Sequence, residues 1–128
     1  MTIELSFEPR DGYLYVEASG RFELAEAQAA TARIIQACLD QKQWKALLDI
    51  RALQGSPTDT ERFRYGESVA AQVADAGQRA GAPLRLAYVG HMPLIDPDRF
   101  VVTVAQNRGV RILVTESMDA ALRWLGVS

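Results

Sequence analysis

The feature that most constrains this chain is a hydrophobic period that switches repeatedly between two and 3.6 residues along its length. Ile3, Leu5 and Phe7 alternate with polar residues and predict a first strand. Pro9-Arg10-Asp11-Gly12 reads as a turn, and Asp-Gly before a β-rich run signals a hairpin. A second strand over about 13–19 is closed by Gly20. Leu24, Gln28, Thr31, Ile34, Ile35 and Cys38 then share one side of a helix over about 24–40.

Trp44 and Lys45 lead into a third strand, 46–50. Beyond Gln54-Gly55-Ser56-Pro57, the tetrapeptide Thr58-Asp59-Thr60-Glu61 fits a capping box and opens a helix over about 59–79. Phe63, Gly66, Ala70, Val73 and Gly77 form its expected inner stripe, and Gly81-Ala82-Pro83 closes it. A fourth strand follows at 84–89. Asp96, with Pro97 at the first helical position, predicts a further helix carrying Phe100, Val101, Val104 and Ala105 and ending at Gly109. The fifth strand is 110–114. Ser117, or Thr115 before it, caps a last helix holding Met118, Ala121, Leu122 and Leu125.

The order β-β-α-β-α-β-α-β-α predicts an α/β fold, a mostly parallel five-stranded sheet with an antiparallel first strand and right-handed crossovers. The 128 residues fit one domain, 1–128. If successive strands are neighbours, the crossover helices share one face. Tyr13, Tyr15 and Glu17 lie on one side of the second strand and Leu14, Val16 and Ala18 on the other, while Arg85 and Arg111 interrupt later strands. A sheet covered on both faces reads more often as unbroken Val, Ile and Leu. The expectation is therefore helices mainly on one flank, with Tyr13 and Tyr15 on the open flank as a dimer or partner face.

Composition narrows the functional classes. With 48% hydrophobic and 23% charged residues the chain has the balance of a globular domain. A net charge of -2 gives no footprint for neutralising phosphates, so nucleic acid is not an expected partner. No apolar run approaches the roughly 20 residues that span a bilayer. The start, Met-Thr-Ile-Glu, shows no signal-peptide pattern, and a cytoplasmic location is expected. One cysteine, Cys38, and one histidine, His91, leave no metal-ligand spacing, so neither a metal nor a cofactor is expected. Phosphate-binding glycine loops and the nucleophile elbow are missing from the sequence.

Asp11-Gly12-Tyr13-Leu14-Tyr15-Val16 through Gly20-Arg21-Phe22, a helix, and then Leu47-Leu48-Asp49-Ile50 resemble the STAS, or SpoIIAA-like, arrangement. The ending Asp119-Ala120-Ala121-Leu122-Arg123-Trp124-Leu125 is similar to the last helix of SpoIIAA-like proteins of the STAS/Sec14 type. The resemblance implies a βα fold and a non-enzymatic role: anti-sigma-factor antagonism, a regulatory module beside a transporter or sensor, or, in Sec14-like relatives, binding of a lipid or other apolar molecule. The antagonist subfamily carries a phosphorylatable Ser in an Asp-Ser-Ser-Gly-like motif at the helix after the third strand. Here that region reads Ser56-Pro57-Thr58-Asp59-Thr60-Glu61, which departs from the motif.

The residues themselves leave several readings open. Ser56 and Thr58 precede a helix, where a phosphate is favoured, although a cap and a turn explain both. Asp49 falls at the carboxyl end of a parallel strand, where α/β folds place ligands; pairing with Arg51 or a loop amide explains it equally. His91, Met92 and Leu94 belong to an unusually apolar loop, either a ligand-contacting rim or a packed connector. Cys38 reads as a buried small hydrophobe. Trp124 reads as an anchor against the sheet edge or the first helix, and the charges around Arg62, Arg64 and Arg79 as a solvated face.

The function expected first is a non-enzymatic regulatory module binding a protein partner, with a homodimer as one form. A Sec14-like carrier or sensor of a small apolar ligand or lipid, using Asp49, His91, Met92 and Leu94, is the alternative. The third reading is a small hydrolase-type enzyme with Asp49 and His91 as an acid–base pair.

Overall fold

The computed structural model describes residues 3–95 and 111–127. The helix expected over 96–109 and the first residue of the fifth predicted strand lie outside the described residues.

The hairpin forms as its turn chemistry requires. β1 (Ile3–Arg10) pairs antiparallel with β2 (Tyr13–Arg21), and Gly12 takes the positive φ of 86° that the tight connection needs. α1 (Leu24–Gln41) leads to β3 (Lys45–Gln54), which lies parallel to β2 and is longer than its apolar stretch predicts. α2 (Asp59–Ala80) begins with the predicted capping box: Thr58 Oγ1 accepts from Glu61 N–H at 3.1 Å and Glu61 accepts from Thr58 N–H at 2.8 Å. It ends at Gly81 with φ 71°, a left-handed cap. β4 (Arg85–Val89), β5 (Arg111–Thr115) and α3 (Met118–Leu125) complete the described chain, with Ser117 capping α3.

The sheet order is β1-β2-β3-β4-β5, so every strand lies beside its neighbour in sequence. The result is the expected mixed sheet, antiparallel only at β1. α1 and α2 pack on one face. Ile34, Ile35 and Cys38 of α1 and Val69, Val73 and Ala76 of α2 meet Leu14, Val16, Ala46, Leu48, Leu86, Ile112 and Val114 from the strands. The predicted α2 stripe is displaced at its start. Phe63 is 42% exposed, and the buried line is Gly66, Val69, Ala70, Val73 and Ala76.

The second face is less open than the strand pattern suggests. α3 crosses to it and covers β3 to β5, burying Leu47, Ala87, Val89, Ala121 and Leu125. Tyr13 joins this cluster and is 8% exposed, which corrects the expectation of an open aromatic there. Its ring is large enough to extend the apolar floor on which α3 rests. Trp124 is half-buried in the same cluster, not against α1, which lies across the sheet. Among the described residues, the open remainder of this face is its β1–β2 side.

Candidate functional site

Two places at the carboxyl ends of the parallel strands could carry function, and they lie on opposite faces of the sheet. The first is built around Asp49. Between Glu17 and Ser19 of β2 the partner strand advances from Asp49 to Ala52, one residue more than β2 does. Such a bulge leaves an amide outside the ladder. Here Asp49 Oδ1 accepts the Arg51 N–H at 3.2 Å. The same carboxylate accepts Arg51 Nε at 2.9 Å on Oδ1 and Nη2 at 2.8 Å on Oδ2. Tyr15 Oη donates to Oδ2 at 2.5 Å.

Asp49 is 3% exposed. Burial by itself disfavours the charged carboxylate, but the hydrogen bonds from Arg51 and Tyr15 outweigh it and hold the pKa down at about 2. Burial, and then the bond to Asp49, push the Tyr15 hydroxyl up to about 12. Arg10, bonded to Glu8 at 3.0 Å, sits 3.9 Å over the Tyr15 ring centroid. Asp49 thus spends its oxygens on a bulge and a bidentate pair, an arrangement suited to fixing backbone rather than to proton transfer.

The second place is an apolar cleft on the α1–α2 face. It is lined by Phe22, Ile50, Leu53, Pro57, Tyr65, Tyr88, Leu94 and Ile95. The cavity holds about 80 Å³, and an adjoining one of about 40 Å³ shares Ile50, Leu53, Tyr65 and Tyr88. Its floor carries a directed hydroxyl chain. Thr31 donates to Ala27 C=O at 3.0 Å, so it accepts from Tyr65 at 2.8 Å, and Tyr65 in turn accepts from Tyr88 at 2.9 Å. Burial raises the pKa of both phenols, which keeps them protonated as this chain requires. Gly90 is needed beside the cleft because a Cβ would lie 2.8 Å from Ile50 Cγ1 and 2.9 Å from Ile95 Cγ2. Arg62 lines the cleft and donates from Nη2 to Pro93 C=O, fastening the 91–95 segment to α2.

The structure separates the predicted ligand residues. Leu94 is buried in the cleft wall, whereas His91 and Met92 point outward, Met92 being 57% exposed with its N–H on Glu116 Oε2 at 3.3 Å. Asp49 takes no part in this wall. Ser56 is exposed and Thr58 is committed to its cap. Cys38 is fully buried, and burial pushes its thiol up to about 11. Arg62, read as part of a solvated face, is instead tucked in, its side chain 15% exposed. Positions 62, 66, 69, 73 and 76 follow one helical stripe, a signal that could have placed it. Tyr65 and Tyr88 had no such signal, because their bond joins residues 23 apart. Among the described residues no cluster of three or more His, Cys, Asp or Glu could hold a metal.

No family model matches the sequence, and no curated protein matches it. Solved structures do. An anti-sigma factor antagonist from Mycobacterium paratuberculosis is similar over 98% of this chain and 95% of its own, with a TM-score of 0.61 and 17% identity. An uncharacterised protein of the DUF3478 family with a SpoIIAA-like fold, from Shewanella loihica, is similar over 97% of this chain and 94% of its own, with a TM-score of 0.50 and 22% identity. The chain has the STAS, or SpoIIAA-like, fold. No helix among the described residues is long and apolar enough to cross a membrane.

Proposed function

We propose that this chain is a non-enzymatic regulatory module that acts by binding another protein. The observation that carries this reading is the commitment of Asp49, the buried carboxylate at the strand ends, to Arg51 and Tyr15. That engagement leaves the acid–base pair with His91 without a free base. The likeness in fold to an anti-sigma factor antagonist supports the same reading. The partner face is the part of the sheet left open by α3, around Tyr15, Arg10 and Glu17, where a charged rim surrounds a half-buried aromatic. Ser56, exposed ahead of the α2 cap, is the hydroxyl a kinase could modify without dismantling that cap.

Native mass spectrometry of the protein purified from its own host tests this. A stoichiometric complex with a second protein, or a homodimer, lost on Tyr15→Ala together with Arg10→Glu, is the expected result. A bare monomer at micromolar concentration would remove the support. The carrier reading meets a cavity of about 80 Å³, well under the several hundred usual for sites that enclose larger ligands.

A further inference from the structure

We propose that the cleft between α1, α2 and the 91–95 segment binds a compact organic monocarboxylate, its apolar body among Phe22, Ile50, Leu53 and Tyr65 and its carboxylate on Arg62. This inference stands apart from the protein-binding reading and fails separately from it.

The first observation is charge. Arg62 is the one charged residue in the described wall of the cleft, and every other lining residue is apolar or a tyrosine. The second is an unmet donor. Arg62 Nε is buried and has no hydrogen-bond partner among the described residues. The rest of the guanidinium is engaged, Nη2 on Pro93 C=O and Nη1 on Asp59 at a long 3.5 Å. A buried cationic N–H without an acceptor is unfavourable. Arg62 Nε is closed to solvent in the structure, and a carboxylate in the cleft restores a charge-assisted bond once the side chain turns to present that N–H.

The third observation limits the headgroup. The hydroxyls of Tyr65 and Tyr88 are already ordered in the chain to Thr31, so Arg62 remains as the polar anchor. The fourth limits the body. A cavity of about 80 Å³, beside one of about 40 Å³ that shares part of its lining, limits the body to a compact group and leaves no room for an extended acyl tail. The cleft also opens at the carboxyl ends of β3 and β4, the edge at which parallel α/β sheets take ligands.

The test is an amide-resolved NMR titration of the full chain with benzoate, benzyl alcohol and decanoate. Benzoate is expected to give saturable shifts at Ile50, Leu53, Tyr65 and Leu94 and to bind more tightly than benzyl alcohol. Arg62→Gln is expected to weaken benzoate about tenfold or more and benzyl alcohol by clearly less, the difference reading the charge and the common part reading the loosened 91–95 wall. Leu53→Trp, which fills the cleft without touching the cation, should abolish both. Absence of saturable benzoate shifts at millimolar concentration overturns the proposal. So does equal affinity of benzoate and benzyl alcohol for the unmodified protein, a comparison that stands even if a variant fails to fold. Decanoate binding much more tightly than benzoate would refute the compact ligand and point to a lipid.

Discussion

Replacing Asp49 by Asn removes the charge and turns one of the two acceptor oxygens into an NH2 donor, so the bonds from Arg51 and Tyr15 can no longer all be kept. Asp49→Asn is expected to cost roughly 1–3 kcal/mol, read as a shift in the urea midpoint at constant slope. The pH dependence carries the same signature. The native carboxyl titrates at about 2, below its ordinary 3.8, so the native state binds that proton less readily than the unfolded chain. Its contribution, roughly 1–2 kcal/mol after allowing for solvent screening, is complete above the ordinary value and drains away as pH falls from 4 towards 2. The stability gap between the wild type and Asp49→Asn should therefore narrow over that interval; a gap that stays constant would show that the charge is not what matters. Across the sheet, Thr31→Val strands the Tyr65 hydroxyl, and the loss of one buried partner is expected to cost about 1–2 kcal/mol in the same assay. Both networks were only half legible. Arg51 as a partner for Asp49 is an i,i+2 relation that the sequence displays, whereas the Thr31–Tyr65–Tyr88 chain joins three elements far apart in sequence.

At the scale of elements, local chemistry was the most readable part. The Asp-Gly turn, the Thr58–Glu61 capping box, Gly81 and the Ser117 cap all act within a few residues of themselves, and the structure places each as read. Thr58→Ala is expected to cost about 1 kcal/mol, and Thr58→Ser to restore most of it; thermal melts of the two variants provide the check. What went unread depends on the far side of the molecule. Tyr13 looked like an outward aromatic because alternation gives the side of the sheet, not what lies above it. The cover comes from α3, more than a hundred residues further along. Leu125, fully buried at the centre of that contact, gives the sharpest trial of it. Leu125→Ala should lose about 2–5 kcal/mol, and a loss under 1 kcal/mol would mean that α3 is only loosely seated.

For the whole molecule, the thiol of Cys38 serves as a built-in reporter. It is fully buried between α1 and the sheet, and burial pushes its pKa up to about 11, so both access and thiolate fraction are low in the native state. Labelling by a disulfide reagent should be slow in native buffer and should rise with urea in step with the global transition. Fast labelling without denaturant would reveal a local opening of the α1 face. The fold itself was legible in outline because each strand and helix announces its own period, and the order of elements admits few arrangements.

The strand order has one further consequence. In many α/β sheets a late strand must slip between two that are already paired. Here the polypeptide emerging from a ribosome could lay down its sheet as a mason lays a course of bricks, each new strand finding an accepting edge left by the one before. No pair of the described strands has to separate to admit another, and α3, which follows β5, only closes a face that is already in place.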